Sequence, residues 1–118
     1  MPYKNKSDQA AASQKHYEAN KDKIKLRSKI RNISQRQKNR DYVRKAKEFS
    51  GCVDCGESNF IVLDFDHVSG NKIMCVSNMI NKAYSLKAIQ MEIDKCEVRC
   101  SNCHRIVTHK RFQETKNA

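Results

Sequence analysis

Two Cys-x-x-Cys pairs, far apart in the sequence, constrain the fold of this chain more than any other feature. Cys52 and Cys55 form the first pair, and Cys100 and Cys103 form the second. Four thiolates supplied by two such pairs match the ligand set of one tetrahedral structural zinc ion. The sequence therefore predicts a zinc ion that ties the beginning of a small domain to its end.

The two remaining cysteines fall outside these pairs. Cys96 follows Leu86, Ile89 and Ile93 at helical spacing, and Cys75 lies in a short apolar segment. Free cysteines in such positions behave as small hydrophobic residues. We expect both to be buried and neither to bind the metal.

The composition changes sharply near residue 50. Residues 1–50 hold 15 of the 24 Lys and Arg residues and 5 of the 13 acidic residues, whereas all six cysteines follow Gly51. This split predicts a basic arm over 1–50, a cysteine-bearing domain over 51–112 and a tail over 113–118. A domain of this size buries too little apolar surface to be comfortably stable alone, so a structural metal is physically reasonable.

The basic arm is predicted to be helical and to bind double-stranded DNA. It contains no glycine, and the residues from Lys21 to Glu48 are mostly good helix formers, with a break expected at Asn20. Contacts from its cations to phosphates would be independent of sequence and sensitive to salt. A solvated helix without a partner is the alternative. The cations assigned to DNA binding are Lys25, Arg27, Lys29, Arg31, Arg36, Lys38, Arg40 and Arg44.

The chain carries no apolar run long enough to span a membrane and no signal-peptide pattern. We therefore expect a cytoplasmic protein without membrane contacts, acting as a monomer or a homodimer. In a reducing compartment, paired Cys-x-x-Cys motifs favour metal binding over disulfides.

Periodicity within 51–112 predicts a small α+β fold in the order strand, strand, helix, helix. Alternation indicates a strand from Phe60 to Phe65, with Ile61, Leu63 and Phe65 on one face. A turn follows, and 73–76 would return as the second strand. Ser85 is predicted to cap a helix, and a last helix is expected over 103–112.

Three residues remain that could perform chemistry beside the zinc ion. If zinc joins the two cysteine pairs, His104 comes close to the end of the first strand, where Asp66 and His67 lie. A carboxylate and an imidazole could then share one divalent metal ion, while His67 accepts a proton from water. Arg105, Lys110 and Arg111 would line the same cleft and contact phosphates.

These residues resemble the HNH endonuclease family, in particular its zinc-bearing members from phages and mobile elements. The resemblance covers 51–112 and is carried by Cys-Val-Asp-Cys, Leu-Asp-Phe-Asp-His and Cys-Ser-Asn-Cys-His-Arg. It implies a ββα-metal fold with Asp66 and His104 as ligands of a catalytic Mg²⁺ or Mn²⁺ ion. It also implies that His67 is the general base and that the products carry 3′-hydroxyl and 5′-phosphate ends.

The chain departs from the family pattern at two positions. The family usually has an asparagine where this chain has Lys95, and that asparagine braces the loop that holds the base. The brace is therefore either missing or supplied by another residue. The position of a third metal ligand is Thr108 here, and His109 lies one residue further on, so we expect two protein ligands and water. The candidate braces are Asn78, Asn81 and Asn102.

The sequence thus predicts a metal-dependent DNA endonuclease with a structural zinc ion. A zinc-ribbon protein that binds DNA without catalysis would need the same cysteines and the same basic arm, but it has no use for Asp66, His67 and His104 together. A knuckle protein that binds or cleaves RNA also remains open, because phosphate chemistry alone does not identify the sugar.

Overall fold

A computed structural model of the protein describes residues 6–117, and predictions that fall on residues 1–5 and 118 lie outside this range. The chain forms a small α+β structure that divides into two compact units between Ser34 and Gln35. Its elements are α1 (Lys6–Ser50), a 3-10 turn (Phe60–Val62), β1 (Leu63–His67), α2 (Val76–Asn81), α3 (Leu86–Ile93), β2 (Cys96–Cys100) and α4 (Ser101–Asn117).

The first unit consists of the earlier part of α1. The predicted break at Asn20 is wrong, because the helix continues through it and the Asn20 side chain donates to the carbonyl of His16 over 3.0 Å. The apolar stripe of Leu26, Ile30 and Ile33 is exposed. This part of the helix therefore has no packed apolar face among the described residues and presents mainly polar and basic side chains.

The second unit is organised around an antiparallel pair of strands, β1 and β2. Leu63 lies opposite Cys100, and His67 lies opposite Cys96. The predicted second strand at 73–76 is wrong, since Ile73 is 71% exposed and Val76 begins α2. The strand forms instead at Cys96–Cys100, where it buries Val98 and Cys100 and connects directly to α4.

One apolar core lies between the end of α1, α2 and α3. It is built from Val43, Val76, Met79 and Ile89. Asn39 is also fully buried there and donates to the carbonyl of Tyr84 over 3.0 Å. Because α1 contributes to this core, the compact unit that contains it begins at residue 35, within the helix.

A second core lies beneath the strand pair and contains Cys52, Leu63, Val98 and Cys100, with Phe65 packing against both cores. The first strand begins three residues later than predicted, after the 3-10 turn. Ile61 is 74% exposed, so the expectation that it shares the inward face of Leu63 is wrong.

The start of α3 agrees with the prediction from the sequence, whereas both ends of α4 differ from it. Ser85 caps α3 as predicted, since its hydroxyl accepts from the Ala88 N–H over 3.2 Å. The last helix starts at Ser101, two residues before the predicted start, and runs to Asn117, beyond the predicted end at residue 112. The strand ends at Cys100, and the helix follows without a loop.

The two unpaired cysteines differ from each other. Cys75 is exposed at the start of α2, so its predicted burial is wrong. Cys96 is half-buried and donates its thiol to the carbonyl of Glu92 over 3.3 Å. Burial, with the charge of Glu92, raises the pKa of Cys96 to about 11, which keeps it a thiol at neutral pH.

Within residues 6–117, the helices are either too short or too polar to cross a lipid bilayer.

The fully buried Ile89 provides a test of the first core. Ile89→Ala should lower the free energy of unfolding by about 2–5 kcal/mol, because it removes apolar contacts and leaves a cavity. Met91→Ala, at a position 60% exposed on the same helix, is the matched control and should change it by less than about 0.5 kcal/mol. Chemical denaturation of both variants measures the difference, and equal effects would contradict this description of the core.

Candidate functional site

The four predicted zinc ligands come together in the folded chain. The sulfur atoms all lie within 4.8 Å of one another, and they belong to Cys52, Cys55, Cys100 and Cys103. The Cys55 and Cys100 sulfurs are 3.7 Å apart. Ligands at about 2.3 Å from a tetrahedral zinc ion would be separated by about 3.8 Å, so the spacing fits this metal. The predicted grouping is confirmed, and it could hold a structural metal ion such as zinc.

Backbone geometry holds the first cysteine pair in a tight loop. Gly51 ends α1 with a φ of 63°, and Gly56 closes the loop with a φ of 81°, a region that glycine adopts without strain. The Gly56 N–H donates to the carbonyl of Cys52 over 2.9 Å, and the Val53 N–H donates to the carbonyl of Val98 over 2.9 Å. The loop is thereby attached to β2.

The second pair spans the junction of β2 and α4. Cys100 is the last residue of the strand, and the Cys103 N–H in the first helical turn donates to its sulfur over 3.4 Å. This arrangement leaves no flexible linker between the metal ligands and the elements that carry His104.

The thiols of the cluster differ strongly in acidity. Burial acts to raise the pKa of Cys52, but hydrogen bonds from the backbone of Cys100, Cys55 and Asp54 outweigh it and lower the pKa to about 6. The pKa of Cys103 is raised, first by its hydrogen bond with Cys100 and then by burial. A thiolate is thus available at neutral pH to begin metal binding, and a bound cation favours ionisation of the rest.

Asp66 and His104 lie close together, on β1 and on the first turn of α4. The Asp66 Oδ1 atom is 3.6 Å from the His104 Nε2 atom. Asp64, two residues earlier on the same face of the strand, has its Oδ2 atom 3.5 Å from the His104 Nδ1 atom. The imidazole therefore lies between two carboxylates, which are hard oxygen ligands suited to Mg²⁺ or Mn²⁺.

Asp66 is buried and paired with two arginines. Arg99 donates to its Oδ2 atom over 2.7 Å, and Arg111 donates to both carboxylate oxygens over 2.9 and 3.0 Å. Burial acts to raise the pKa of Asp66, but the hydrogen bond and charge of Arg111, with the charges of His104 and Arg99, hold it below its ordinary value. The carboxylate is therefore ionised at neutral pH.

The two arginine side chains differ in how deeply they are buried and how many partners hold them. Arg99 is buried and also pairs with Asp54 over 2.8 Å and with Glu97 over 2.5 Å. The Arg111 side chain is 44% exposed. Arg99 is therefore fixed in the fold, whereas Arg111 can leave Asp66 without unfolding its surroundings.

His67 lies on the opposite side of the strand from Asp66 and contacts α3. Its Nε2 atom is 2.7 Å from the Oε2 atom of Glu92, a side chain that is 1% exposed. His67 also lines a cleft of about 230 Å³ together with Asp64 and two lysines, Lys47 and Lys72. Burial lowers the pKa of Lys47, and the charge of Asp64 partly offsets this.

The loop after His67 is braced by Lys95 itself. Its Nζ atom donates to the carbonyl of Asn71 over 2.8 Å and to Glu92 over 3.0 Å. Its carbonyl accepts from the N–H groups of Val68 and Ser69. Lys95, at the place of the family asparagine, therefore holds this loop directly.

The other residues that were predicted to contact phosphates are exposed or bound to other side chains. Arg105 and Lys110 lie on an exposed side of α4 and line a shallow groove together with Asn102, Ile106 and His109. Arg44 is paired with Glu48 and lies over the ring of Phe60. The predicted DNA-binding cations of α1 that are exposed and not yet mentioned are Lys25, Arg27, Lys29, Arg31, Lys38 and Arg40.

Sequence reasoning missed Asp64, Glu92 and Arg99. A signal existed for Glu92, since it falls between Ile89 and Cys96 at helical spacing on the apolar face of α3. A charged residue at such a position is rarely buried without a partner. Asp64 and Arg99 alternate with buried strand residues and gave no comparable signal.

Within residues 6–117, the cysteine cluster is the sole group of three or more metal-ligating side chains that are close enough to share an ion. Comparisons of the chain with protein-family models, with curated proteins and with solved structures yield no match.

The cysteine cluster makes a direct prediction about metal content. Protein purified under reducing conditions should carry about one zinc ion per chain, and Cys100→Ser should lose it because three thiolates no longer complete the tetrahedron. Cys75→Ser, at an exposed cysteine outside the cluster, is the matched control and should retain the metal. Elemental analysis measures both, and a wild-type protein without bound zinc would contradict the assignment.

Proposed function

We propose that this protein is a metal-dependent DNA endonuclease that hydrolyses phosphodiester bonds. The observation that carries the proposal is the 3.6 Å separation between the Asp66 carboxylate and the His104 imidazole, with His67 as the next residue on the strand. An acidic ligand, a neutral nitrogen ligand and a separate imidazole base are the parts that metal-assisted phosphodiester hydrolysis requires.

Asp66 and His104 would hold the catalytic ion, since the Asp66 carboxylate approaches the Nε2 atom of His104, whereas Asp64 approaches the other ring nitrogen, Nδ1. A divalent ion at this place supplies Lewis-acid stabilisation of charge on the phosphate. The ionised state of Asp66 supports this role, since a carboxylate must be deprotonated to bind a cation.

His67 would accept a proton from the attacking water molecule. Its side chain is partly exposed and lines the cleft that also contains Asp64, so water can reach it there. Lys47 and Lys72 on the cleft wall would attract the phosphate backbone. Arg111, once released from Asp66, would be free to neutralise charge that develops on the phosphate.

The basic part of α1 would contribute affinity without sequence selectivity. Its exposed lysines and arginines face solvent and can neutralise phosphates, and release of counterions would then favour binding. Duplex DNA is the proposed substrate.

A second candidate function is DNA binding without catalysis, with the cysteine cluster as a structural zinc site. The double pairing of Asp66 with Arg99 and Arg111 favours it, because two guanidinium groups already neutralise the carboxylate. A structural ion pair of this kind needs no catalytic metal ion. Cleavage assays separate the two functions.

Plasmid cleavage tests the proposed nuclease activity. The zinc-loaded protein should convert supercoiled DNA to nicked or linear products when Mg²⁺ or Mn²⁺ is added, and His67→Ala should reduce the rate by about 10²–10⁴-fold. His109→Ala, at an exposed histidine on α4, is the matched control and should cleave at the wild-type rate.

Binding and zinc content of the His67→Ala protein should stay unchanged, since neither the cysteine cluster nor the arm is altered. Undiminished cleavage by this variant would remove His67 from the mechanism. A wild-type protein that binds DNA and leaves it intact with every divalent ion would support the second function instead.

Salt dependence tests the role of the arm. Replacing Lys25, Arg27, Lys29 and Arg31 by glutamine should reduce the slope of log K against log salt by about 0.9 for each phosphate that the variant no longer neutralises. Glutamine is a good helix former, so α1 should remain intact. Fluorescence anisotropy with duplex DNA measures the slope.

The matched control for the arm is a double variant, Ser28→Gln and Ser34→Gln, which alters the same helix without changing its charge. Its slope should equal that of the wild type. If the four-site variant also keeps the wild-type slope, these cations do not bind the phosphates.

A further inference from the structure

We propose that Glu92 is a positioning residue that fixes His67 in one tautomer, with the proton on Nε2 and a free lone pair on Nδ1. This inference rests on the proposed function for its catalytic meaning, but the tautomer itself is independent of any activity. The contact joins α3 to the last residue of β1, two elements separated by the loop and α2.

The Glu92 carboxylate is enclosed by hydrogen-bond donors. Its Oε2 atom lies 2.7 Å from the His67 Nε2 atom and accepts from the Ile73 N–H over 3.3 Å. Its Oε1 atom accepts from the Lys95 ammonium group over 3.0 Å. With 1% exposure, the side chain has no access to bulk water that could replace these partners.

Glu92 is held in its ionised form. Burial acts to raise its pKa, but the hydrogen bonds from Lys95, His67 and the Ile73 N–H outweigh burial and lower the pKa below its ordinary value. An ionised carboxylate can only accept hydrogen bonds, so the facing nitrogen of a neutral imidazole must carry the proton. The Nδ1 atom of His67 is then the nitrogen able to take a proton from water.

Lys95 fixes the orientation of the Glu92 carboxylate. It binds the far oxygen of Glu92 and the carbonyl of Asn71, so one ammonium group orients the carboxylate and also holds the loop that follows His67. A histidine base gains its efficiency from such orientation, since the wrong tautomer cannot accept the proton.

Glu92→Gln tests the tautomer. Both oxygens of Glu92 face donors, and an amide NH₂ placed next to the Lys95 ammonium group would be repelled. The NH₂ group should therefore face His67, which must accept from it through Nε2 and move its own proton to Nδ1. Long-range ¹H–¹⁵N spectra of the imidazole report which of its nitrogens is protonated.

We expect the Nε2–H tautomer in the wild type and the Nδ1–H tautomer in Glu92→Gln. Glu92→Asp keeps an acceptor and should keep the Nε2–H tautomer. Asp94→Asn, which removes a carboxylate at the end of α3 that pairs with Gln90, is the matched control and should leave the spectrum of His67 unchanged.

Cleavage kinetics give the second readout. Glu92→Gln should lower the turnover rate by about 10²–10⁴-fold with DNA affinity unchanged, and Glu92→Asp should recover part of the loss. A purely structural role predicts the opposite order, because glutamine preserves the volume of the buried side chain and aspartate does not.

The outcomes distinguish the inference from the proposed function. An Nδ1–H tautomer or a doubly protonated imidazole in the wild type overturns the inference, and this result does not require any variant to fold. A wild-type Nε2–H tautomer in a protein that does not cleave DNA overturns the proposed function and leaves the positioning of His67 intact.

Discussion

The pairing register of β1 with β2 is the constraint on which the rest of the second unit depends. With Leu63 opposite Cys100, the end of β2 lies beside the loop that carries Cys52 and Cys55, and the four sulfurs meet. The same register places the start of α4 over β1, so that His104 reaches Asp64 and Asp66. A shift by one residue would turn every side chain of the strand to the other face and separate both groups.

A metal ion in the cysteine cluster would stabilise this register in particular. The second unit buries few large apolar side chains, and its two cores share Phe65 as their common contact. Linking the loop after α1 to the junction of β2 and α4 restricts the unfolded chain over almost fifty residues. The metal would therefore stabilise the pairing of β1 with β2, which brings Asp64, Asp66 and His104 together.

The sequence allowed the local features to be predicted, and the failures concern contacts between distant segments. The cysteine cluster and the Ser85 cap follow from spacing and capping chemistry. The second strand was misplaced because Cys96 continues the helical spacing of α3, whereas pairing with β1 overrides that periodicity. Glu92 and Lys95 gain their roles only through the fold, which brings them to His67 and to its loop.

Because side chains alternate along β1, the two carboxylates that contact His104 lie on one face of the strand and His67 lies on the other. Asp64 and Asp66 extend from one face of β1 toward His104, while Leu63, Phe65 and His67 extend from the other toward the cores and α3. In the described part of the chain, one edge of β1 pairs with β2 and the other edge is open. The cleft lined by Asp64, Phe65 and His67 draws on both faces, so it must follow that open edge. A phosphate lying along this edge would meet side chains from both faces of the strand, Asp64 from one and His67 from the other.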